Sequence, residues 1–198
     1  GNLRDYPLAD DKYAIEQLAD RYSFIDITKV GIFGHSGGGF MSTAALCTYP
    51  DFYTAAVSSS GNHDNNIYNN GWVEIHHGVK ETKEMVKDSV NGDHEVSKFS
   101  VKVPTNMELA KNLKGHLLLV TGDMDKNVHP AHTLRMVDAL IKAGKNFDML
   151  VLPGKTHGYG SADGFFERRL WFHFAKYLLG DTTADHYGNI EEYKGIEN

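Results

Sequence analysis

The sequence predicts an α/β fold, a mostly parallel sheet of about four strands flanked by helices. Two observations carry this. Short apolar runs alternate with amphipathic stretches along most of the 198 residues, the rhythm of parallel strands joined by helical crossovers. The stretch at 30–40, Val-Gly-Ile-Phe-Gly-His-Ser-Gly-Gly-Gly-Phe, also reads as strand, tight turn and helix. The length suits one domain with a substantial core.

Residues 10–22 place Ala14, Ile15, Leu18, Ala19 and Tyr22 on one helical stripe, with Asp10 or Asp11 as N-cap. Val30, Ile32 and Phe33 form the first buried strand, and the helix after the turn spans 40–46. A turn at 51–53 precedes a second buried strand at 55–58, Ala-Ala-Val-Ser. Residues 61–104 break the rhythm as a polar and aromatic insertion without clear period, with some helix expected around 79–87. A long insertion of this kind is commonly functional, and Tyr68 and Trp72 mark it as a folded wall of a site. Thr105 and Glu108 make a capping box that opens a short helix to about Leu113. His116 to Val120 is the third strand. Pro130 starts a helix with Leu134, Val137, Leu140 and Ile141 on its stripe, ending at Gly144. Residues 147–152 form the fourth strand. A last helix from about Gly164 buries Phe166, Leu170, Phe174 and Leu178, and a polar tail fills 181–198.

A net charge of −6 without a Lys/Arg block argues against nucleic acid or an anionic membrane as partner. The single cysteine, Cys47, excludes a disulfide framework. No apolar run is long enough to span a bilayer. Gly1-Asn2-Leu3-Arg4-Asp5 reads as neither a natural start nor a targeting segment, so the expectation is a piece of something longer.

Gly34-His35-Ser36-Gly37-Gly38 between strand and helix is a nucleophile elbow, in which small neighbours make room for a serine on a strained turn. The reading assigns that room to Gly34 and Gly38, with Gly37 and Gly39 loosening the turn. Ligand sites in parallel α/β sheets lie at the carboxyl ends of strands. Three such ends present Ser36, Asp125 and His157, in the chain order of α/β-hydrolases. A serine hydroxyl needs an imidazole to take its proton, and the imidazole needs a carboxylate to hold its tautomer. Asp123 competes with Asp125 for the acid role. His76, His77, His129 and His132 lack a matching ligand set at a recognisable spacing, so no metal and no cofactor is expected.

The Gly34-His35-Ser36-Gly37-Gly38 elbow, Gly122-Asp123-Met124-Asp125-Lys126-Asn127-Val128-His129 and Thr156-His157-Gly158 together resemble the catalytic domain of the prolyl oligopeptidase family, in its dipeptidyl-peptidase IV branch. The resemblance covers roughly residues 10–180 and implies a partial α/β-hydrolase fold. It selects Asp125 as triad acid, implies that Asn127 holds the substrate backbone, and places Val128 in a proline pocket walled by Tyr68 and Trp72. Trp72 stands where that branch usually has a second tyrosine. The Gly37 N–H is the oxyanion donor that remains. A peptide is the implied substrate, and a periplasmic or secreted location is suggested.

The resemblance also implies that residues 1–198 are the C-terminal part of the peptidase domain. An N-terminal β-propeller and several early strands of the hydrolase domain would then be missing, leaving 29–34 as an exposed sheet edge through which the chain could self-associate. The expected function is a serine peptidase cleaving short peptides after proline through an acyl-enzyme. The rivals are a carboxylesterase on the same fold and an inactive interaction module.

Overall fold

The computed structural model describes residues 2–100 and 103–183; the predicted tail lies outside the described residues from 184 onward. In chain order the elements are α1 (Asp5–Arg21), β1 (Val30–His35), α2 (Gly37–Thr48), β2 (Tyr53–Ser59), α3 (Asn70–His77), β3 (Lys80–Val86), β4 (His94–Ser100), β5 (His116–Gly122), α4 (Ala131–Lys142), β6 (Asp148–Leu152) and α5 (Asp163–Leu179). Strands β1, β2, β5 and β6 lie side by side in that order, all parallel.

Both faces of this sheet are covered, which is why its strands read as unbroken apolar runs. Leu117 and Leu119 of β5 join Ala44, Leu46, Met136 and Leu140 in one buried cluster. Leu118 and Val120 join Val57, Leu152 and Leu170 in the other. β1 is an edge strand among the described residues, and Phe33 on it is 64% exposed. A side chain at Gly31 would run into Phe174 and Leu178 of α5.

Several expectations need correction. The first helix starts at Asp5, not near residue 10. Its cap comes from upstream, where Asn2 Oδ1 accepts the N–H groups of Arg4 and Asp5. The helix after the elbow begins at Gly37, since the turn itself is its first turn. The stretch 79–87 is not helical: β3 pairs antiparallel with β4. Residues 87–93 join them, a loop longer than a two-residue turn, in which Gly92 has a positive φ of +80°. The capping box opens only a 3₁₀ turn (Met107–Asn112). Thr105 N–H donates to Glu108 Oε1 at 3.3 Å, but Asn106 holds the cap position and sends its side chain elsewhere. Helix α3 was not anticipated; Asn69 caps it by accepting from Trp72 N–H at 3.0 Å.

Candidate active site

Ser36 sits between β1 and α2 with φ +58° and ψ −120°, a region that costs a non-glycine residue energy. The turn is clamped by Ser36 N–H donating to Ser59 O at 2.8 Å and Phe40 N–H donating to Ser36 O at 3.0 Å. The crowded neighbours are Gly34, where a Cβ would lie 2.5 Å from the Gly38 carbonyl, and Gly39, where it would lie 2.6 Å from Ser59 O. A side chain at Gly38 would meet open space. Room at the elbow therefore comes from Gly34 and Gly39, rather than Gly34 and Gly38.

The loops after β5 and β6 are bound to each other. Met124 N–H donates to Lys155 O at 3.0 Å, and a side chain at Gly122 would collide with the Lys155 and Thr156 carbonyls. The two aspartates separate clearly in this frame. Asp123 accepts from Gly154 N–H at 2.6 Å and so braces the second loop. Asp125 is fully buried, and its Oδ1 accepts from the N–H groups of Asn127 and Val128 at 2.8 and 2.9 Å. Its Oδ2 lies 2.7 Å from His157 Nδ1. With Nδ1–H donated to that carboxylate, His157 Nε2 keeps the lone pair.

The His157 ring packs against His35, centroids 4.6 Å apart, so it lies beside the residue that precedes Ser36. Ser36 Oγ makes no hydrogen bond among the described residues, and the serine–imidazole contact is not closed in this structure. His35 Nδ1 is 2.7 Å from Ser59 Oγ, which is 2.7 Å from Tyr159 OH; Ser60 Oγ reaches the same phenol at 3.0 Å. Burial and then the facing His157 push the pKa of His35 down, keeping its ring neutral near neutral pH. Reading the sequence did not single out His35, Ser59, Ser60 or Tyr159. The serine run at the end of β2 was the available signal.

Tyr68 and Trp72 meet edge to face, centroids 5.5 Å apart. Tyr68 OH donates to Asn127 Oδ1 at 2.8 Å. Trp72 Cζ2 would touch a Cβ on Gly37 at 3.5 Å, so the indole overhangs the elbow. Val128 is buried. A buried polar net supports this wall. Asn106 Nδ2 donates to Phe40 O at 2.8 Å and to His63 Nδ1 at 3.0 Å. Asp64 N–H donates to His132 Nδ1 at 3.3 Å, and the His132 ring meets Tyr68 at 5.8 Å. Burial drives His63 down to about 3 and His132 to about 4. Asp64 also pairs with Arg135 at 2.8 Å.

The remaining histidines are likewise engaged. His76 stacks on Trp72 at 3.9 Å, His77 meets Asn65 at 2.9 Å, and His129 accepts from Ala131 N–H. Among the described residues, no three His, Cys, Asp or Glu side chains converge as a metal set. No helix among them is long and apolar enough to cross a membrane.

The fold has counterparts among solved structures. A candidate dipeptidyl aminopeptidase IV of Bacteroides ovatus superposes with a TM-score of 0.73 at 23% identity, over 89% of this chain and 23% of that one. Porphyromonas gingivalis dipeptidyl peptidase 4 gives 0.66 at 22% identity, over 87% and 23%. At those identities the likeness establishes the α/β-hydrolase fold. Human dipeptidyl peptidase 8 is 30% identical over 177 residues, 88% of this chain but 18% of its own length. The chain thus spans under a fifth of that relative. The model of the prolyl oligopeptidase family matches residues 1–182, nearly the whole of the described fold, and the chain belongs to that family.

Proposed function

We propose that this chain carries the nucleophile, base and acid of a serine peptidase that cleaves short peptides after a proline-like residue. One observation bears most of the weight. The buried Asp125 carboxylate holds His157 Nδ1 at 2.7 Å while the same ring lies against the residue preceding Ser36. Ser36 Oγ attacks the scissile carbonyl carbon as His157 Nε2 takes its proton. Asp125, held in place by two backbone N–H groups, stabilises the resulting imidazolium. Gly37 opens α2, where a helix leaves its N–H without an internal acceptor, and that N–H faces the developing oxyanion. The imidazolium then protonates the leaving amine, and water releases the acyl group by the same route.

The edge-to-face pair of Tyr68 and Trp72 offers an apolar slot beside the elbow. A pyrrolidine ring suits it, being compact and without an N–H to satisfy. Asn127 gives its carbonyl oxygen to Tyr68, which leaves its NH₂ for a substrate carbonyl.

A fluorophosphonate probe tests the assignment. Ser36 is expected to be labelled in the native chain and the label lost in Ser36→Ala. A folded chain labelled elsewhere, or not at all, removes the reading. Where Ser36 is labelled, faster turnover of aryl esters than of proline anilides would favour the carboxylesterase.

A further inference from the structure

The β3–β4 hairpin stands apart from the rest of the molecule. Both strands are exposed along their length, with only Thr82 half-buried. Cross-strand links such as Lys83 to Glu95 at 3.1 Å and Ser97 to Glu81 at 2.6 Å hold it together at the surface. Exposed pairs of this kind contribute little. A two-stranded hairpin without a packed face is marginal in water, and three or more strands are usually needed. Among the described residues the hairpin sheet has two strands, and no strand lies beside the outer edge of β3.

The residues on that edge carry an unusual symmetry. Residues 79–85 read Val-Lys-Glu-Thr-Lys-Glu-Met. Laid antiparallel against itself with Thr82 on the twofold axis, the segment sets Val79 opposite Met85, Lys80 opposite Glu84 and Glu81 opposite Lys83, each twice. Val79 and Met85 are both more than half exposed, so they are open to meet a partner. The alternation of a strand permits only shifts by two residues if side chains are to stay on their faces. Centring on Glu81 puts two glutamates on the axis, and centring on Lys83 puts two lysines there. Like charges directly opposite are destabilising, whereas opposite charges and apolar pairs contribute favourably. The outer edge of β4, His-Glu-Val-Ser-Lys-Phe-Ser, has no self-paired register with two opposite-charge pairs.

We propose that β3 is a self-pairing edge, and that two copies of this chain join there through a four-stranded antiparallel sheet with Thr82 on the twofold axis. The surface is distinct from β1, the edge of the parallel sheet at which self-association was expected. It depends on neither the triad nor the substrate reading. Lys80→Glu places glutamate against Glu84 twice, and the exchange Lys80→Glu with Glu84→Lys restores opposite charges.

Sedimentation equilibrium of the 198-residue chain measures the association. A reversible dimer is expected, with a dissociation constant raised about tenfold or more by Lys80→Glu and brought back to within about threefold by the exchange. Mild oxidation provides a check on register. Thr82→Cys is expected to form an interchain disulfide, because directly opposed strand residues fall within disulfide reach. Met85→Cys is not, because its own counterpart lies six residues away along the strand, about 20 Å. A monomer at all concentrations, a dimer indifferent to Lys80→Glu, an exchange no tighter than the single variant, or equal crosslinking at positions 82 and 85 each overturns the proposal.

Discussion

The rim of the parallel sheet and the segment joining β2 to β5 hold their polar side chains by opposite means. At the rim, backbone geometry does the positioning. Asp125 is gripped by two N–H groups of its own loop, and the loops carrying Asp125 and His157 are bound main chain to main chain. Between residues 61 and 77 the positioning falls to buried side chains. Asn106 bonds His63, His132 accepts from Asp64 N–H, Asn65 meets His77, and Tyr68 and Trp72 rest on that net. Backbone frames tolerate most changes of side chain. A side-chain net does not, because each lost partner strands another buried polar atom.

The largest effect expected from breaking either arrangement comes at the rim. Asp125→Asn keeps an oxygen for the two backbone donors but presents the wrong partner to Nδ1. Labelling of Ser36 by the fluorophosphonate is expected to fall by about 10⁴-fold with the circular dichroism unchanged. Asn106→Leu probes the net instead. It leaves Phe40 O and His63 Nδ1 without their donor, and urea unfolding should register a loss of about 2–3 kcal/mol. A loss under about 0.5 kcal/mol would erase the contrast between the two regions.

Acid is the gentlest probe of the net. His63 and His132 are held neutral in the fold, with pKa values of about 3 and about 4, below the usual histidine value of 6.5. Between those values and 6.5 the unfolded chain binds protons that the folded chain refuses, so stability falls as pH drops through that window. The slope is about 1.4 kcal/mol per pH unit for each ring. Above pH 7 neither ring contributes a slope. Urea titrations at pH 7.5, 6 and 5 check this, and a flat profile would show that the net opens to admit protons.

How much of this could be read beforehand differs between the same two regions. The parallel sheet, the elbow and the loops carrying Asp125 and His157 were legible because short-range signals specify them: apolar runs, glycines at crowded turns, and a motif within eight residues. Tyr68 and Trp72 stand out in the sequence, yet what supports them does not. Asn106 reads in sequence as part of a capping box, but its amide crosses to Phe40 and His63. Residues 79–87 read as partly helical because Lys and Glu suit helices intrinsically, and 80–86 lack the apolar–polar alternation that would mark a strand.

The sequence by itself determined the fold class, the parallel order of the sheet and the strand ends at which Ser36, Asp125 and His157 sit, since each follows from local pattern and chain order. Tertiary structure alone decided that Asp123 braces a loop, that His35 backs the His157 ring, and that a buried histidine–asparagine net carries the aromatic wall. Those choices depend on residues tens of positions apart meeting in a water-free interior, where a polar group must find whichever partner the fold brings to it.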